Sequence, residues 1–192
     1  MITTLDASHK CVLKNWETID RMIVSREQVE EYLKKIASKA LNVANKKAKT
    51  LFDPEDEMRK RWIALFPKRL SNWKNSGSAL INFGIEAISV KNILHPSSEG
   101  GCTAWIYSPY AAEKKRKDAN KVIQNILKVV NSPVDFEEMH GVDGYLFQKQ
   151  LPPIPVEEFE QPIRLEAYFI EPMMFLIQWW EAHEKQILKA LS

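Results

Sequence analysis

Glycine is scarce in this chain, with six residues in 192. Dinucleotide-binding folds depend on glycine-rich turns, so that class is not expected. The one polar run that holds two glycines, Ser97-Ser98-Glu99-Gly100-Gly101, precedes a predicted strand. A phosphate cradle instead leads from a strand into a helix. Cysteine is scarcer still. Cys11 and Cys102 lie far apart and in different contexts, which points to a reduced, cytoplasmic protein, with a single disulfide as the alternative. Neither has the neighbours that mark a nucleophile. The four histidines, His9, His95, His140 and His183, are isolated from one another and from the cysteines, so a zinc site is not expected. No apolar run approaches the ~20 residues that span a bilayer. The opening MITTLDASHK has no basic stretch followed by an apolar one, so no secretory signal is read there. No internal repeat is visible, and no cofactor is implied.

What the chain does have is apolar material, 45% of residues, with six tryptophans. That composition suits a packed globule, read here as a single domain over 1–192, with an N-terminal helical segment (1–50) and an α+β body (51–192). The densest stretch is C-terminal. Met173 to Ile177 are apolar without interruption, and Trp179 and Trp180 follow. Gln178, Glu181, Lys185 and Lys189 recur three or four apart and form one wet stripe. Met173, Ile177, Trp180, Ile187 and Leu191 share the opposite face. We read a core helix here, with Pro172 in its first turn, where a missing N–H is harmless.

Upstream, Ser25 and Gln28 form a capping-box pattern. It predicts a helix to about Lys49 with Val29, Leu33, Ile36, Ala40 and Val43 inward. Residues 20–25 read as a short strand or turn before it. Asp53 and Pro54, followed by Glu55, Asp56 and Glu57, predict a second helix start, ended by Pro67. The stretch 79–94 is ambiguous; Gly84 and its β-branched neighbours tilt it towards strand. Cys102–Tyr107 reads as a strand, Ser108 to about Asn131 as a helix, and Val142–Gln150 as a strand. The proline-rich 151–162 reads as an extended connector. Ile163–Ile170 alternates and reads as a strand feeding the last helix. The expected fold class is α+β: a small mixed or antiparallel sheet with four or so helices packed on it and the C-terminal helix in the core.

Charge is unevenly placed. Residues 1–128 carry +9 and residues 129–192 carry −7, for a net +2. Lys114, Lys117, Lys121 and Lys128 share one predicted helix face, flanked by Lys115 and Arg116, with Tyr107 and Tyr110 upstream. A row of cations releases counterions when laid on phosphates, and nearby rings can stack bases. Arg59, Lys60, Arg61, Lys68, Arg69 and Lys74 form a second cluster, interleaved with Trp62 and Trp73. The leading expectation is a non-catalytic binding or adaptor protein. Lys114, Lys115, Arg116, Lys117, Lys121, Arg59 and Arg61 would contact nucleic acid or an acidic partner protein, with no membrane involved.

Two other readings follow from other residues. Gly141-Val142-Asp143-Gly144-Tyr145-Leu146-Phe147-Gln148-Lys149 resembles the aspartate strand of metal-dependent nucleases of the restriction-endonuclease kind. That resemblance implies Glu86 and Asp143 as Mg²⁺ ligands and Lys149 beside the attacking water. The sequence departs from that pattern because Gln148 and Lys149 are adjacent and only six residues past Asp143. The third reading is a subunit of a larger complex, with the tryptophan-rich C-terminus as its interface.

Overall fold

The computed structural model describes residues 7–49, 51–70, 81–95, 101–108, 119–139 and 144–191. The fold is α+β, as expected. Among the described residues, six strands form one antiparallel sheet in the order β1-β2-β3-β4-β6-β5. They are β1 (Phe52–Glu57), β2 (Trp62–Pro67), β3 (Asn82–Glu86), β4 (Thr103–Tyr107), β5 (Glu137–Glu138) and β6 (Tyr145–Gln150). The described helices are α1 (Ala7–Lys14), α2 (Trp16–Lys47), α3 (Val90–Leu94), α4 (Ala119–Leu127), α5 (Val156–Phe159) and α6 (Pro162–Leu191).

The core lies between one sheet face and the helices α2 and α6. Successive strand residues point to opposite faces, and Phe52, Ile63, Leu65, Phe83, Ile85, Ile106 and Phe147 are all buried towards the helices. Phe52 and Phe83 meet edge-on at 5.3 Å between centroids, and Phe147 packs on Trp179 of α6 at 5.9 Å. The helix α6 supplies Leu165, Phe169, Met173, Leu176, Ile177, Trp180 and Ile187. Its wet stripe, Gln178, Glu181, Lys185 and Lys189, is exposed. Trp179 and Trp180 are buried, so the two C-terminal tryptophans belong to the core.

Four expectations about elements are corrected. The stretch 53–67 is a β-hairpin, with a 3₁₀ turn over Met58–Lys60 and a left-handed Arg61 (φ 62°) between its strands. Pro54 fits because β1 is an edge strand, where a missing N–H breaks no ladder. Residues 20–25 lie inside α2, whose helix starts at Trp16. Ser25 donates its hydroxyl to the Arg21 carbonyl within that helix instead of capping a new one. Val29 is consequently on an exposed side. Residues 163–170 are the first turns of α6, and Pro172 sits inside that helix. There it withholds the N–H that would bond the Tyr168 carbonyl. The connector 151–162 contains the short helix α5.

Candidate ligand-binding cleft

The sheet face opposite the helices is built from three rows of side chains, fixed by strand register. The first row runs Asp53, Phe66, Asn82, Tyr107, Tyr145; the second Glu55, Ala64, Gly84, Trp105, Gln148, Glu137; the third Glu57, Trp62, Glu86, Thr103, Gln150. A register shift between Ile106 and Tyr107 against β6 turns Tyr145 onto this face while Phe147 stays in the core.

Trp62, Asn82, Glu86, Trp105, Tyr107 and Tyr145 line a cleft of about 410 Å³ on this face. Three of its rings stand nearly at right angles to one another. Trp105 and Tyr107 make 78° at 5.8 Å, Trp105 and Tyr145 83° at 6.5 Å, and Tyr107 and Tyr145 67° at 5.2 Å. Such edge-to-face pairs are the favoured aromatic geometry. Gly84 lets the Trp105 indole lie against the sheet. A Cβ built there would fall 2.1 Å from the Ile63 carbonyl oxygen and 3.0 Å from Trp105 Cζ2.

Polar groups converge on the same place. The Tyr145 hydroxyl donates to Glu86 Oε2 at 2.8 Å. Burial pushes the Glu86 carboxyl above its ordinary range, and the Tyr145 hydrogen bond only partly opposes that. Among the described residues no cation pairs with Glu86. Asn82 Oδ1 and Trp105 Nε1 are buried and have no hydrogen-bond partner among the described residues. Tyr32 Oη, Asn45 Oδ1 and Tyr168 Oη are in the same position elsewhere in the fold, and an unmet buried polar group costs about 1–3 kcal/mol.

The cationic residues expected to contact a partner fare differently. Lys114, Lys115, Arg116 and Lys117 lie outside the described residues, as does the Arg59 side chain. Lys121 is exposed on α4. Arg61 lies across a groove from α2 that also holds Arg26, Lys34, Glu27, Glu30 and Glu31, so carboxylates face it. Its backbone is structural: its carbonyl accepts from the Ile88 N–H at 2.9 Å. In the second basic cluster, Lys60 pairs with Glu57 at 3.7 Å and Arg69 with Glu184 at 3.4 Å.

Of the residues implied by the nuclease resemblance, the two that are described, Glu86 and Lys149, are not brought together. Glu86 lies on the cleft face, whereas Lys149, opposite Ala104 in register, projects to the helix side and pairs with Asp135 at 3.3 Å. Asp143 lies outside the described residues, and among those no cluster of three metal-ligating side chains occurs. His183 is half-buried and bridges elements. Its Nδ1 is 2.8 Å from the Trp179 carbonyl, and its Nε2 accepts from the Asn131 N–H at 3.4 Å. Trp179 Nε1 donates to the Asn131 carbonyl at 2.8 Å.

The cleft was not singled out from sequence. Its residues come from four strands, and the signal that could have found them is the alternation Asn82-Gly84-Glu86 and Trp105-Tyr107. No protein-family model, curated protein or solved structure matches this chain.

Proposed function

We propose that this protein is a binding module whose recognition element is the aromatic cleft on the sheet face opposite α2 and α6. The observation that supports this reading most is the convergence there of four aromatic rings, a half-buried carboxylate and two orphaned polar atoms. Its volume falls within the ~300–1,000 Å³ typical of ligand sites, and its few polar groups among apolar walls are the usual composition. A mixture screen followed by the indole N–H resonances of Trp62 and Trp105 tests it. A ligand that perturbs both indoles, and whose effect disappears in Asn82→Leu, is the expected result. If no compound in chemically diverse mixtures moves either resonance, the reading is wrong.

A second reading keeps docking to nucleic acid or an acidic partner through basic helical faces. Its specific support is the exposure of Lys121 on α4 and of Lys128 just after it. Converting Lys114, Lys115, Arg116, Lys117, Lys121, Arg59 and Arg61 to Ala would then weaken binding to single-stranded DNA and flatten its salt dependence. Unchanged anisotropy titrations would dispose of it.

A further inference from the structure

We infer that the cleft takes a compact organic cation, an alkylammonium or guanidinium group, held by the ring faces of Trp62, Trp105, Tyr107 and Tyr145 and by the Glu86 carboxylate. This rests on the cleft being the recognition element, and it adds the chemistry of the ligand.

Shape comes first. A flat heterocycle needs parallel walls between which to stack. Here Trp105, Tyr107 and Tyr145 stand at 78°, 83° and 67° to one another, like three sides of a box corner. A corner of that kind suits a rounded group better than a flat one, and ring faces turned into the cleft would meet it. Those faces carry the negative lobe of the ring quadrupole, which attracts cations lying within about 6 Å. Quaternary and methylated ammonium groups are bound by ring cages of this type because their charge is diffuse and weakly hydrated.

Charge points the same way. Glu86 stands in the cleft wall with the Tyr145 hydroxyl as its partner and no described cation beside it. A carboxylate buried without a counter-charge is costly unless something supplies one. Along the same face, β1 contributes Glu55 and β5 contributes Glu137 at the far edge, while Glu57 of β1 is paired with Lys60. Carboxylates flanking a cleft on both sides repel phosphates and carboxylates and draw cations towards it.

Titration of the full chain, uniformly ¹⁵N-labelled, separates the outcomes. The probes are tetramethylammonium chloride, with sodium chloride at equal ionic strength as blank, and tert-butanol as the neutral group of similar shape. Saturable shifts of the Trp62 and Trp105 indole resonances are expected with tetramethylammonium and not with tert-butanol. Glu86→Gln, which keeps an oxygen for the Tyr145 hydroxyl, is expected to weaken the ammonium by about tenfold or more. A peptide bearing trimethyllysine, compared with the free cation, identifies the source. At least about tenfold tighter binding assigns a protein side chain, and equal binding assigns a free small molecule. Equal binding of tert-butanol, or an ammonium affinity unchanged in Glu86→Gln, would overturn the cation assignment while leaving the cleft a binding site. Silence of both indoles towards every probe would overturn the cleft as well.

Discussion

Gly84 is the residue on which the cleft wall most depends. An added methyl at this position runs into backbone, the Ile63 carbonyl oxygen, and not merely into a flexible side chain. Gly84→Ala is therefore expected to lose about 1–3 kcal/mol of stability, read by chemical denaturation, with the Trp105 indole resonance displaced. An unchanged midpoint would mean that β2 and β3 can separate at this point without penalty. Glu86 carries a pH signature. Its carboxyl is raised by burial, so the folded chain binds this proton more readily than the unfolded chain does. Its contribution to stability is full below the ordinary carboxylate pKa of 4.5 and is lost as pH rises through the higher folded value. Glu86→Gln should remove that loss, so the variant becomes the more stable form above that window; thermal melts from pH 4 to pH 8 would show the two curves diverging. If they run parallel, Glu86 is not desolvated. The two cysteines differ as sharply. Cys102 is buried, and burial pushes its thiol up to about 12. The Tyr168 hydroxyl, itself raised by burial, lies against it without meeting hydrogen-bond geometry. Cys11 is exposed. One thiol should react with a disulfide reagent in the native protein, and two after denaturation.

At the scale of elements, α6 offers a test of helix against strand. A strand over 163–170 would put Ile163, Leu165 and Phe169 on one face. The helix buries Leu165 and Phe169 and leaves Ile163 82% exposed. Phe169→Ala is expected to cost about 3–5 kcal/mol, whereas Ile163→Ala should stay within about 0.5 kcal/mol. Equal losses at the two positions would contradict the helical arrangement. The alternation that suggested a strand arises because Ile163 and Ala167 fall where a helix tolerates apolar residues without burying them fully. The hairpin over 52–67 departs from the expected helix for a related reason. Asp53, Pro54 and three following carboxylates favour a helix start locally, but Trp62–Pro67 buries Ile63, Ala64 and Leu65 in the sheet, and β1 is pulled into register beside it. Local capping preferences are worth about 1 kcal/mol. Burial of a strand face outweighs them.

For the whole molecule, the basic front and acidic back of the chain are joined by pairs that cross between them. Lys39 of α2 pairs with Glu166 of α6, and Arg69, after β2, pairs with Glu184 of the same helix. Exposed pairs of this kind contribute about 0–1 kcal/mol each, so the charge asymmetry is partly resolved inside the fold. The helix α2 is itself divided. Its buried residues begin at Leu33, while Trp16, Met22, Ile23 and Val24 are exposed. Its first half therefore rests on helical hydrogen bonds with little packing beneath it. Amide exchange should be fast through residues 16–30 and slow through 33–44. Uniform protection along α2 would show that something covers the first half.

Composition and periodicity by themselves determined the α+β class, the inward stripe Leu33-Ile36-Ala40 of α2, the strands β4 and β6, and the wet and buried faces of the second half of α6. Each of those signals is carried by residues that are near neighbours along one element, so its physics is local. Only the tertiary structure decided that 52–67 is a hairpin, that Pro172 lies inside a helix, and that Glu86 and Lys149 project from opposite faces of the sheet. It also decided that Trp62, Asn82, Glu86, Trp105, Tyr107 and Tyr145 meet. Those residues belong to four strands, and their meeting depends on pairing order and register. Register is set by which face of each strand finds the helices, a quantity that exists only once the whole core has closed.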